Sequence, residues 1–433
     1  MSRPRALVRF TSLDGMRVVA FPSAQYEWES RQGLRTALAP VIGADYARDL
    51  LGLASAPREP AEEIVRGLLL AERAEALDAR LDELRAELAR IGLGKLWTVG
   101  DEDAPNLLDE RSATLDYDLD VVQPVNTVTL VRDVAQRAEG AASIRVMTPG
   151  AVAREGLSTL RGTAGVPVMP GERYTFSAAV RGSTTLSLRL WWYTAAGALI
   201  TAHAATVTAT QSWQRAHVTA TAPAGAATVA GAVLTDGTSA TTFWVDALQI
   251  ERGDPPTPFR VRRERWAYAR LSGLPEVTLG VRHRQHLPLI VSFVRLSDWF
   301  AAHAIVQTQT LTSSPTTLTV ANPGTAVTYP DVLLVSLGTN GFVQPVIQND
   351  FTGEVISSSR VGSSASHRLR VDCARLRVDY STTDGSTWVN DYANLTVGAA
   401  QIGFLRLEPG SQTLRVTGAT NARIEVRFYP AYH

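Results

Sequence analysis

From residue 106 to about residue 245, Asp, Glu and Arg thin out and Thr, Ala, Val and Gly dominate. Short runs of β-branched and small residues, broken by small-residue turns, specify many short strands rather than helices. Such a stretch buries its apolar faces most readily as a β-sandwich. It ends at Gly253-Asp-Pro-Pro-Thr-Pro258, which neither a helix nor a central strand continues through. Charge returns abruptly in Arg260-Val-Arg-Arg-Glu-Arg265. From about residue 304 to the end the strand pattern resumes, with turn signals at Asn322-Pro-Gly324, Gly338-Thr-Asn-Gly341, Asp384-Gly385 and Glu408-Pro-Gly410. The fold class expected for the 433 residues is mainly β, in about three domains. No internal repeat of fixed period is present.

The N-terminal part reads differently. Ala6–Phe10 and Met16–Phe21 alternate as two strands around Leu13-Asp-Gly15. Pro60 reads as the start of one long helix over 60–91, with Glu62 and Glu63 favourable in its first turn and Glu62/Arg66 spaced i,i+4. Leu70, Ala74, Leu77, Leu81, Leu84, Leu88 and Ile91 follow a 4-3 seam, and Gly92 and Gly94 stop it. About three heptads do not decide whether the seam packs on its own domain or between subunits. Lys95–Val99, Trp266–Leu271, 277–281 and 287–295 read as further strands.

Composition narrows the function. An apolar fraction of 45% with 19% charged residues excludes full-length disorder. Lys and Arg number 42, as do Asp and Glu, so the formal net charge is zero. That argues against a surface built to grip polyanions and suits a subunit inside an assembly. Lys95 is the only lysine, so every other basic residue is arginine, through coding bias or through selection of Arg forks for interfaces. The single cysteine, Cys373, excludes an intrachain disulfide and a cysteine metal cluster, and reads as packed rather than reactive. The start lacks the apolar region of a signal peptide, and runs such as Leu68-Leu-Leu-Ala71 are far too short to span a bilayer, so a soluble chain is expected.

No catalytic constellation emerges, and the chain is expected not to be an enzyme. There is no HExxH, Walker A, GxSxG or GxGxxG pattern. Arg282-His-Arg-Gln-His286 puts two histidines on opposite faces of a strand, poorly placed to share a metal. Asp116, Asp118 and Asp120 are expected on one face of a strand, as a solvated edge more readily than a hard-cation site. The best candidate surface lies in Leu186-Ser-Leu-Arg-Leu-Trp-Trp-Tyr193. Alternation turns Leu186, Leu188, Leu190 and Trp192 to the core and Arg189, Trp191 and Tyr193 outward. Two aromatics beside an arginine suit stacking on sugar rings with hydrogen bonding. The alternative is that another part of an assembly covers them.

Ordered blocks carry a resemblance. Asn106-Leu-Leu108, Gly140–Arg145, Val168–Ala178, Ser212-Trp-Gln-Arg215 with Thr219–Pro223, Phe243-Trp-Val-Asp-Ala-Leu-Gln-Ile-Glu251 and Thr257-Pro-Phe259 follow one another in an order and spacing that resembles jelly-roll carbohydrate-binding modules appended to xylanases and glucanases. The resemblance implies a concave glycan-binding sheet and a structural calcium. Asp246 matches an acidic position near that calcium, and Trp213 and Trp244 fall in framework blocks expected in the core. The flanks are similar to siphophage distal tail proteins. Lys95–Gly100, Arg265–Leu271, Pro288-Leu-Ile-Val-Ser-Phe293 and Leu296-Ser-Asp-Trp-Phe300 carry that likeness, followed by Pro345–Asn349, Leu405–Gly410, Leu414–Val416 and Ile424–Phe428. Trp299 stands where proline is commoner.

The two resemblances together imply a discontinuous ring-forming N-terminal domain (1–103 and 260–303). They imply an inserted jelly roll (104–259) and a galectin-like C-terminal β-sandwich (304–433). They imply a virion protein at the distal end of the tail. It would be a homo-hexameric ring between the tail tube protein and the baseplate hub or tail-fibre proteins, with DNA passing through without specific binding. The insert would contact host cell-surface polysaccharide. Another baseplate or fibre subunit, or a secreted glycan-active protein, are the alternatives.

Overall fold

The computed structural model describes residues 8–13, 16–21, 26–34, 61–70, 75–100, 104–273, 275–277, 286–397 and 404–433. It is mainly β, in several antiparallel sheets with few helices, as the composition predicts. Two compact units divide the chain. One is Met1–Gly100 with Glu264–Leu318 and Gly324–His433; the other is Asp101–Arg263 with Thr319–Pro323.

In the first unit, a sheet orders its strands as Val18–Phe21, Val8–Ser12, Leu93–Gly100, Arg263–Leu271, His286–Arg295, Ala61–Leu70 and Tyr26–Leu34. Leu93–Gly100 and Arg263–Leu271 are hydrogen-bonded neighbours although far apart in sequence. The expectation of one helix over 60–91 is corrected here. Ala61–Leu70 is a strand, paired along its length with His286–Arg295 on one edge and with Tyr26–Leu34 on the other. Ladders on both edges satisfy its backbone polar groups, so tertiary pairing overrides the helical spacing of Leu70 with the residues after it. Glu62 and Arg66 are therefore not a helical pair. The helix is Glu75–Ile91. Its Leu81, Leu84, Leu88 and Ile91 are buried with Phe10, Leu96, Ala267, Val291 and Phe293, so this part of the seam packs on its own unit. Ala74 and His283 lie outside the described residues.

The rest of this unit is a pair of sheets. One runs Ile305–Leu311, Ala422–Phe428, Asp331–Ser336, Arg368–Asp372, Arg377–Ser381 and Val389–Asn390. The other includes, as neighbours, Gly410–Ala419, Phe342–Asn349, Val355–Ser358 and Leu395–Val397. Alternation buries Leu369 and Val371, Ile424 and Val426, and Leu414 and Val416. The final strand Ala431–Tyr432 pairs with Trp299–Ala301, which also pairs with Arg263–Leu271. Cys373 is fully buried, and burial raises its thiol pKa well above the usual range, so it is a packed side chain rather than a nucleophile. Among the described residues no helix is long and apolar enough to cross a membrane.

The second unit is a two-sheet sandwich. Leu199–Thr208, Thr185–Tyr193, Thr228–Thr235, Gly156–Thr159 and Val122–Val125 form one sheet in that order, with Val166–Pro167 added beside Thr228–Thr235. Gln214–Thr221, Arg173–Arg181, Thr241–Arg252, Ser143–Thr148 and Thr129–Asp133 form the other. The chain crosses repeatedly between the sheets, as in a jelly roll. Leu186, Leu188, Leu190 and Trp192 meet Phe176, Phe243, Val245 and Ile250 in the core between them. Gly231 is required there, because a Cβ would sit 2.3 Å from the Phe176 ring.

Candidate functional site

The outward face of the Thr185–Tyr193 sheet is the candidate site. Its register is set by the core alternation, because Leu188 and Leu190 must point inward. The residues between them then stand in rows across the sheet. Arg189 is opposite Ala204 on one neighbour and Ala232 on the other, and Ala232 is opposite Ser158, itself opposite Gln123. Trp191 is flanked by Ala202 and Ala230. Alanines on both sides leave the indole and the guanidinium standing above a floor of small residues.

Trp191 is half-buried, packed at its base on Val125, Ala232 and Leu234. The Arg161 guanidinium lies 5.8 Å from the ring centroid of Trp191. Arg161 is held by Nε donating to Gln123 Oε1 at 2.7 Å and Nη2 donating to the Pro124 carbonyl at 3.3 Å. Arg189 donates from Nε to Ser187 Oγ at 3.2 Å, and among the described residues its Nη groups have no partner. Burial lowers the Arg189 pKa, helped by the positive charge of Arg154 and opposed by Asp236, but the group stays charged. Ser158 Oγ is buried and has no hydrogen-bond partner among the described residues.

Tyr193 is placed differently from Trp191. Its strand carries a register shift between Trp192 and Tyr193, and only 7% of its surface is exposed. Burial raises its phenol pKa against the opposing charge of Arg161. Tyr193 therefore closes one end of the surface, while Trp191 and Arg189 present the accessible groups. Arg161, Gln123 and Ser158 were not foreseeable from the strand that holds Trp191. They come from neighbouring strands, and only the pairing register brings them there.

Asp246 is buried. Its Oδ2 accepts the amide N–H of Ala138 at 2.7 Å and of Glu139 at 3.0 Å, and its Oδ1 accepts that of Ala247 at 2.6 Å. Burial outweighs these donors and raises its pKa to about 8. Asp116 Oδ1 accepts from Ala141 at 2.5 Å and Ala142 at 2.9 Å, and burial raises its pKa to about 6. Gly140 is needed for this wrap, since a Cβ would lie 2.2 Å from the Asp116 carboxylate. The donors meeting both carboxylates are N–H groups, not the oxygens a calcium requires. Among the described residues no group of three or more His, Cys, Asp or Glu is assembled for a metal. The residues around Asp246 thus do not fit a calcium.

Two other expectations are corrected. Asp116, Asp118 and Asp120 do not share a strand face, because the segment after the short helix Glu110–Thr114 is a loop. Asp116 is buried, whereas Asp118 meets Arg111 at 2.5 Å. Trp213 and Trp244 are half-buried rather than core. Trp244 donates from Nε1 to Asp133 Oδ2 at 3.0 Å, a polar tether on the outer face.

No family model matches the chain, and no curated protein matches it. Three solved structures indicate the kind of likeness found. The CBM22-1–GH10 modules of Clostridium thermocellum endo-1,4-β-D-xylanase 10B, complexed with xylohexaose, are 19% identical, over 33% of this chain and 28% of that chain, with a TM-score of 0.28. The CBM22-1 xylan-binding domain of Paenibacillus barcinonensis Xyn10C is 15% identical, over 35% of this chain and 97% of that chain, with a TM-score of 0.29. The enzymatically active domain of bacteriophage CBA120 tailspike protein 4 is 11% identical, over 34% of this chain and 22% of that chain, with a TM-score of 0.28. The first and third matches thus span less than a third of those chains. At these identities and scores none of them assigns this chain an activity.

Proposed function

We propose that the Asp101–Arg263 unit is a non-catalytic glycan-binding module. The observation that carries the reading is the outward row of Arg189 and Trp191, a half-buried indole beside a guanidinium whose Nη groups have no partner among the described residues, above an alanine floor. An indole offers a flat apolar face to the C–H side of a sugar ring, and a guanidinium offers paired donors to neighbouring hydroxyls. The row holds an aromatic and a cation rather than the two carboxylates of a glycosidase, which supports reading it as a binding surface.

We further propose that this module is an insert (104–259) carried by a distal tail protein. Its remaining parts would be a ring-forming domain (1–103 and 260–303) and a galectin-like domain (304–433). The sequence resemblance of the flanks supports this, and so does the pairing of Leu93–Gly100 with Arg263–Leu271, which returns the chain to the same sheet after the intervening unit. In this reading six copies form a ring between tail tube and baseplate, DNA passes through it, and six weak glycan sites act together through avidity.

Two experiments test the proposal. Light scattering on the size-exclusion peak of the full chain should give a hexamer or larger; a persistent monomer with hydrolytic activity contradicts the ring. Trp191→Ala combined with Arg189→Ala should abolish adsorption to isolated bacterial cell-wall polysaccharide. Unchanged adsorption removes this face as the binding surface.

A further inference from the structure

A second pocket lies in the other unit, far in sequence from Trp191. It has a volume of about 300 Å3, at the small end of ligand sites and suited to one ring-sized molecule rather than a helix or strand. Its wall is aromatic. Trp266 packs against Phe300 at 4.8 Å, Tyr268 at 5.1 Å and Tyr429 at 5.7 Å between ring centroids.

Charge is distributed unevenly in this pocket. Asp331 is gripped by Arg370, whose Nε and Nη2 donate to its carboxylate at 2.6–3.0 Å. Asp372 is approached by Arg375 at 3.4 Å. Both carboxylates that line the pocket are thus met by arginines. Lys95 and Arg427 also line it, and among the described residues neither has a carboxylate partner. Lys95 Nζ sits 4.5 Å from the Trp266 ring centroid. Burial lowers its pKa, and the charge of Arg375 lowers it further. A half-buried ammonium with a second cation nearby and, among the described residues, no carboxylate at ion-pair distance favours an anion beside it.

The chain's only lysine thus lines this pocket. Arginine serves throughout where planar forks pair with carboxylates, whereas a compact ammonium on an aromatic face suits a point contact with an oxyanion. We propose that this pocket binds an anionic sugar unit, a ring bearing a carboxylate or a phosphate, with the ring against the half-buried Tyr268 and Tyr429, which pack on the buried Trp266, and the anion at Lys95. The tyrosines and the Asp331–Arg370 pair supply the polar groups a hydroxylated ring requires. The inference stands on this unit alone and does not depend on the Trp191 face.

A single lysine makes the test direct. Reductive methylation with 13C-formaldehyde keeps the charge and labels Lys95 and the N-terminal amine only. Glucuronate, glucose 6-phosphate, glucose and inorganic phosphate are titrated separately while the Lys95 methyl resonance is followed. A saturable shift with glucuronate or glucose 6-phosphate, at least tenfold weaker with glucose and with phosphate, supports the proposal, and the stronger of the two acids identifies the anion. No shift with either acid, or an equal response to phosphate alone or to glucose, overturns it. Calorimetry on unlabelled protein adds a second arm. Lys95→Gln should weaken binding of the preferred acid at least tenfold with an unchanged melting curve, and Lys95→Arg should retain most of it. Binding by Lys95→Gln equal to that of the wild type also overturns the proposal.

Discussion

Arg189 is where a single side chain has most to say about the glycan face. Its Nε is taken by Ser187 and its Nη groups are left for a ligand. Arg189→Ala should weaken glycan binding about tenfold, the ~1.4 kcal/mol of one charge-assisted hydrogen bond, with little change in melting temperature. Arg189→Lys should recover only part, since a lysine lacks the fork. Affinity electrophoresis through a polysaccharide gel reads both. Asp246 makes a different prediction. Its folded-state pKa, about 8, lies above the ordinary 3.8, so it binds a proton more tightly when folded. Its contribution to stability is full below pH 3.8 and is lost as the pH rises through 8. Asp116 adds a loss as the pH rises toward 6. The unfolding free energy should therefore fall from pH 5 to pH 8, with a slope of ~1.4 kcal/mol per pH unit where one proton is involved, and the melting temperature should fall with it. Asp246→Asn should flatten the alkaline part of that fall. EDTA should leave the curve in place; a chelator-induced drop would restore a calcium at this aspartate.

At the scale of elements, alternation was readable wherever the core decided it. Leu186, Leu188, Leu190 and Trp192 are all buried as their period-2 spacing requires. The hairpin of Val8–Ser12 with Val18–Phe21 was readable too, as two alternating runs around a turn. The stretch from Ala61 to Leu70 was not, because its Leu and Val residues suit a helix seam and a doubly paired strand equally. Only the partners Tyr26–Leu34 and His286–Arg295, distant in sequence, choose between them. The same limit hid Arg161, Gln123 and Ser158 from the site, since cross-strand register is a tertiary property. Substitutions in both units test the packing. Leu84→Ala or Leu88→Ala on the helix should destabilise the first unit by about 2–5 kcal/mol, whereas Ala86→Ser on the exposed side should change stability by less than about 0.5 kcal/mol. Gly231→Val should destabilise the sandwich through overpacking on Phe176, by about 1–3 kcal/mol or more. Denaturant melts followed by circular dichroism measure each.

For the whole molecule, the sequence marked the β-rich stretch by its small-residue composition and its Pro-rich end. The structure gives two compact units, each with its own core, and a chain path that leaves one sheet at Gly100 and rejoins it through Arg263–Leu271. Zero net charge conveyed little about where charges sit. It did not disclose the one lysine on an aromatic wall, nor two carboxylates raised by burial. Glycan binding by this chain turns on Trp191, and a glycan array probed with labelled full-length protein measures it. The wild type should bind at least one class of polysaccharide, and Trp191→Ala, with the same melting curve, should lose at least tenfold in signal against it. A wild type that binds no glycan, or a Trp191→Ala protein that binds equally well, would contradict a glycan site at Trp191.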